Sequence, residues 1–128
     1  MLRVVRLGTP RAADEGLRLG TVRRPPRGVP KSQFAAGNWY DVWFPTLAPS
    51  AETVKMALQA ATPADWAAFV RRYRAEMASP AAAQAIGLLA ALSHQTQLSV
   101  GCYCEEASRC HRWVLRELLA AAGAEIEP

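Results

Sequence analysis

The sequence predicts an α/β protein, a single compact domain with a small, mostly parallel or mixed sheet flanked by helices. Three observations predict it. Short β-rich runs near both ends of the chain enclose a helical middle, each helical stretch is announced by a capping residue or a proline, and a last strand runs directly into a last helix. At 128 residues the chain is long enough for one core and too short for two, so one domain is expected over residues 1–128.

The elements follow in order. Leu2 to Leu7 is a β-rich run closed by Gly8-Thr9-Pro10, and Leu17 to Arg23 is a second, weaker one. Pro25, Pro26, Gly28 and Pro30 then forbid regular structure, which places Arg23, Arg24, Arg27 and Lys31 on or beside an exposed loop. Trp39 to Phe44, aromatic and β-branched and stopped by Pro45, reads as a buried strand. Within it Asp41 is costly to bury unless paired, so it either meets an arginine or lines a pocket.

Ser50 reads as an N-cap opening a helix to about Ala60. Thr62-Pro63-Ala64-Asp65 is a stronger start signal, and Trp66, Phe69, Val70 and Tyr73 follow it at helical spacing to about Met77. Ser79-Pro80 opens a third helix that ends near His94, whose cationic form suits a helix C-terminus. Gln97 to Cys104 is the last strand, and Ser108 is expected to cap a last helix that Gly123 stops.

Composition narrows the function classes. Hydrophobic residues make up 51% and charged residues 20%, the balance of a folded domain rather than a disordered one. No window approaches the roughly 18 uninterrupted apolar residues of a membrane span, and the start lacks the apolar centre of a signal peptide, so a cytoplasmic protein without a membrane partner is expected. Charge is unevenly placed. Residues 1 to 31 hold eight of the 15 Lys and Arg against two of the 11 Asp and Glu, a local +6, while the remainder comes to −2. That basic third suits a phosphate or another anion, or is merely a solvated surface.

All three cysteines lie in CYCEEASRCHR, Cys102 to Arg112, where disulfides could not staple a fold. The segment joins the carboxyl end of a strand to a helix N-terminus, the place where open α/β sheets build sites and where free N–H groups attract anions. Strand alternation puts Cys102 and Cys104 on one face, and Cys110 and His111 are expected in the first turn of the helix.

Three chemistries are open to this group. In the first, Arg109 and Arg112 hold an anion, helped by Arg23 and Arg24, with Asp41 at its edge. Cys104 or Cys110 is then a thiolate nucleophile, His111 a proton carrier and Glu105 a general base. In the second, Cys102, Cys104, Cys110 and His111 are a Cys3His zinc set, although a C-x-C within a strand and an adjacent Cys-His pair are awkward spacing. In the third the thiols only pack, which suits Cys102 best.

RLGTPR, EGLRLGTVRRPPRGV, YDVWFPTLAPS and GCYCEEASRCHR, in that order, resemble the domain of unknown function 488 family over nearly the whole chain, in its branch with C-x-C-E and then C-H-R. The resemblance implies a compact α/β fold. It makes Cys104, Glu105, Cys110, His111 and Arg112 hallmark positions, matches Arg23 and Arg24 to arginines after an early strand, and brings no established reaction or cofactor. The residues thus lead to a small enzyme or ligand-binding domain for a phosphorylated or nucleotide-like anion, working in an Arg/Cys/His-lined cleft at a strand-loop-helix junction without a required cofactor. The rivals are a non-catalytic nucleic-acid-binding module using the basic N-terminal third, and a zinc-stabilised structural domain.

Overall fold

A computed structural model describes residues 1–104 and 110–128. It contains four strands, β1 (Leu2–Arg6), β2 (Leu17–Gly20), β3 (Val42–Trp43) and β4 (Leu98–Cys102), and four α-helices, α1 (Ala51–Gln59), α2 (Pro63–Met77), α3 (Pro80–Leu92) and α4 (His111–Ala121). The strands form one sheet in the order β1-β4-β2-β3, and every pairing is parallel. The last strand in sequence is therefore central, and all five of its residues are buried. Such a strand must be apolar on one face and neutral or tightly paired on the other.

Strand alternation divides the two faces. Leu2, Leu19, Leu98 and Val100 join Phe69, Tyr73, Ile86, Leu89, Val114 and Leu115 in the main core, so the helices cover this face. The opposite face is covered by loops. The Tyr40 ring lies so close to Gly20 that a Cβ there would fall 2.2 Å from it, and a Cβ on Gly101 would fall 2.8 Å from Leu7. Glycine here makes room for the covering layer, a close approach no side chain would permit.

The starts of α1 and α2 follow their sequence signals. Ser50 Oγ accepts from the Thr53 amide, and Thr62 and Asp65 form a reciprocal capping box. Gly123, at φ +95°, ends α4 in the left-handed conformation glycine tolerates.

Three expectations are corrected. Only Val42 and Trp43 of the expected buried strand pair in the sheet, and as its edge they are 40% and 45% exposed. Tyr40 instead leaves the strand line to cover Gly20, and the Arg18 amide donates to the Asp41 carboxylate. The second run ends at Gly20 rather than Arg23. The N-cap of α4 is Cys110, without a side-chain cap bond, so Cys110 precedes the first turn; Ser108, expected as the cap, lies outside the described residues.

A polar network is buried in the loop-covered face. Arg18 is fully buried and Glu15 only 2% exposed; Arg18 Nε and Nη2 donate to the two Glu15 carboxylate oxygens at 2.6 and 2.9 Å. Ser99 of β4 donates to the same carboxylate at 2.8 Å, and Arg18 Nη1 donates to the carbonyls of Thr9 and Asn38. A buried ion pair is tolerable when its remaining hydrogen-bonding capacity is met, as here. By reaching Thr9 and Asn38, Arg18 fastens both covering loops to the centre of the sheet.

Candidate functional site

The carboxyl ends of β2 and β4 meet the start of α4 in a second, smaller buried cluster made of Leu7, Val22, Tyr40, Cys102 and Cys110. Cys102 ends β4, and Cys110 enters α4 beside it, which brings their sulfurs to 2.7 Å. His111 follows as the first residue of α4. Its Nε2 lies 2.8 Å from the Thr21 carbonyl oxygen, just past β2, and its Nδ1 lies 3.7 Å from Cys110 Sγ.

These contacts decide the state of the imidazole. A carbonyl oxygen can only accept, so Nε2 carries the proton and Nδ1 of the neutral ring presents a lone pair to the thiols. Burial lowers the His111 pKa, partly offset by the Thr21 bond and by Cys104, so the neutral form prevails at physiological pH. Tyr73 supports the ring edge-on at 5.4 Å between centroids and is anchored by its hydroxyl donating to the Leu47 carbonyl at 2.7 Å.

The three thiols differ. Cys102 and Cys110 are buried and Cys104 is exposed. Hydrogen bonds from Cys102 and then Cys110 stabilise the Cys104 thiolate against the opposing cost of burial, and with His111 and Arg112 nearby they lower its pKa to about 3. Cys102, donating to that thiolate, is pushed up to about 11, and Cys110 is raised further by Cys102, by Cys104 and by burial. The accessible sulfur is thus the most acidic, the order nucleophilic chemistry requires. Donor atoms of Cys102, Cys110 and His111 also lie within 4.8 Å of one another and can hold a metal ion.

The other expected site residues are distributed differently. Glu105 and Arg109 lie outside the described residues. Arg23 donates to the carbonyls of Pro45, Ala48 and Pro49, bracing the turn ahead of α1. Tyr103 donates to the Arg24 carbonyl at 2.8 Å, which ties the proline-rich loop to the end of β4 across 79 residues. Asp41 accepts from both Arg11 terminal nitrogens, at 2.7 and 3.1 Å, as well as from the Arg18 amide. Arg112, only 6% exposed, donates to the Val5 carbonyl of β1 at 3.3 Å.

Sequence reasoning missed Thr21, whose contribution is a backbone carbonyl and leaves no side-chain signal. It also missed Tyr40, which shares the buried cluster with Cys102 and Cys110 and whose hydroxyl is buried without a partner among the described residues. Among the described residues no single helix is long and apolar enough to cross a membrane. A family model described as the active DUF488-N3 subclade, DUF488-N3a, matches residues 2–123. No curated protein and no solved structure matches the chain.

Proposed function

The chain belongs to the DUF488-N3a family, and on that premise we propose that it is a small enzyme acting through a cysteine thiolate on a phosphorylated or nucleotide-like anion. The observation that carries the reading is an exposed thiol, Cys104, hydrogen-bonded to two buried thiols and set beside a neutral imidazole and a buried arginine. Cys104, already a thiolate held by donation from Cys102 and Cys110, attacks the electrophilic atom and expels the group bonded to it as an anion; His111 Nδ1 accepts the proton of the water that then cleaves the thio-adduct and frees the sulfur. Arg112 supplies the charge that draws the anion.

The test is alkylation by iodoacetamide at neutral pH, mapped by mass spectrometry, with and without inorganic phosphate or AMP. Preferential modification of Cys104, slowed by the anion, is expected. Reactivity no greater than that of a free cysteine, or indifference to both anions, rules the reading out.

The second reading, a bound zinc ion, is favoured by one specific observation. A metal-bound histidine characteristically gives its other ring N–H to a carbonyl or carboxylate, and His111 gives its own to Thr21 while turning Nδ1 toward Cys110. Cys102, Cys110 and His111, with Cys104 as fourth donor, fit a Cys3His site. Zinc purifying in one-to-one ratio, with unfolding on chelation, selects this reading, and metal-free folded protein removes it. A nucleic-acid-binding module has less to draw on, because Arg3, Arg11 and Arg18 each pair with a carboxylate of the chain.

A further inference from the structure

Arg112 is the hinge between the cysteine cluster and a groove on the β1 side. That groove, of about 390 Å3, is lined by Arg6, Arg112, Trp113, Arg116 and Glu127 among others. Three arginines from two elements thus line one space, and the Glu127 carboxylate accepts from Arg3 Nε at 2.7 Å, which offsets its charge. Arg6 stands opposite Cys102 in the β1–β4 register, so the cationic end of the groove adjoins the thiols. Trp113, in the same lining, is 46% exposed, with the Arg116 guanidinium 5.6 Å from its ring centroid.

This is an arrangement for a ligand with one anionic and one flat aromatic part. Guanidinium forks match the geometry of phosphate oxygens, and a half-exposed indole is a stacking surface for any base. Resting on the reading above that the ligand is a phosphorylated or nucleotide-like anion, we infer that the groove binds a nucleoside monophosphate unit. Arg6, Arg112 and Arg116 hold the phosphate, and Trp113 stacks the base.

The experiment is calorimetric titration of the full chain with AMP, adenosine and inorganic phosphate, repeated on Arg116→Ala and Trp113→Ala, both partly exposed positions, with thermal melts to show that the fold is kept. AMP is expected to bind more tightly than either fragment. Arg116→Ala should weaken AMP and phosphate at least tenfold, whereas Trp113→Ala should reduce AMP to the affinity of phosphate and leave phosphate unchanged. AMP binding equally well to the wild type and both variants overturns the groove assignment and leaves the anion reading standing. Failure of all three probes to bind overturns both.

Discussion

The His111 Nε2–H points at the carbonyl oxygen of Thr21, 90 residues earlier, at a separation of 2.8 Å. That one bond joins the start of α4 to the end of β2 and determines which ring nitrogen faces the sulfurs.

Alkylation of Cys104 should be nearly independent of pH between about 5 and 8. Its pKa, lowered to about 3 chiefly by the hydrogen bonds from Cys102 and Cys110, leaves the thiolate fully formed across that range. A free thiol near pKa 8.5 would instead quicken about tenfold per pH unit there. A rate rising steadily from pH 6 to 8 would show an ordinary thiol.

His111 should make the protein less stable as pH falls from about 7 toward 5. Its folded pKa lies below the unfolded value, so the unfolded chain takes up a proton near pH 6.5 that the buried ring resists. Stability therefore rises with pH through this window. His111→Gln keeps a donor for Thr21 but does not titrate, and denaturant midpoints across the window should be flatter for it than for wild type.

A second acid step should come from Glu15. Burial alone would raise its pKa, but the Arg18 and Ser99 hydrogen bonds outweigh burial and hold the carboxyl at about 2. Because the folded value lies below the unfolded one, the contribution is complete above about pH 4.5 and is lost as pH falls toward 2. Its size is on the order of 3 kcal/mol. Glu15→Gln should remove this lower window, leave the His111 window intact, and cost about 3 kcal/mol at pH 7 by stranding buried Arg18. Coincident acid curves for the two proteins would refute the assignment.

Two glycines separate backbone conformation from crowding. Gly16 and Gly28 both have positive φ, at +75° and +71°. A Cβ on Gly28 meets nothing within 4 Å, whereas one on Gly16 falls 2.0 Å from the Gln97 carbonyl oxygen. Gly28→Ala should cost about 1 kcal/mol, the left-handed strain alone, and Gly16→Ala about 3 kcal/mol or more because neighbouring backbone must move. Equal losses in chemical denaturation would mean that the contact at Gln97 relaxes freely.

The legible parts of the fold share one property, that their determinants are local. Ser50, the Thr62–Asp65 pair and Gly123 act within a turn of themselves, and α2 reads directly from Phe69 and Tyr73 at helical spacing. The candidate site was legible to the same extent. CYCEEASRCHR is short, so chain connectivity alone brings Cys102 near Cys110 and His111. Trp39 to Phe44 failed as a buried strand because local pattern cannot distinguish an edge from a centre, and Tyr40 found a better surface on Gly20 than a place in the ladder.

By itself the sequence determined the α/β class, the starts of α1, α2 and α3, and the gathering of three thiols and an imidazole at one strand-to-helix junction, because residues within one segment interact whatever the rest of the chain does. Only the tertiary structure decided what those groups face. It put β4 at the centre of a parallel sheet, aimed His111 at Thr21, buried Arg18 on Glu15, and turned Arg112 toward β1 and Arg6 rather than toward the proline-rich loop. Those relationships span up to 107 residues. They exist only once the helices on one face and the loops on the other have closed over the sheet, because burial is what removes water as the alternative partner of a carbonyl, a carboxylate or a guanidinium.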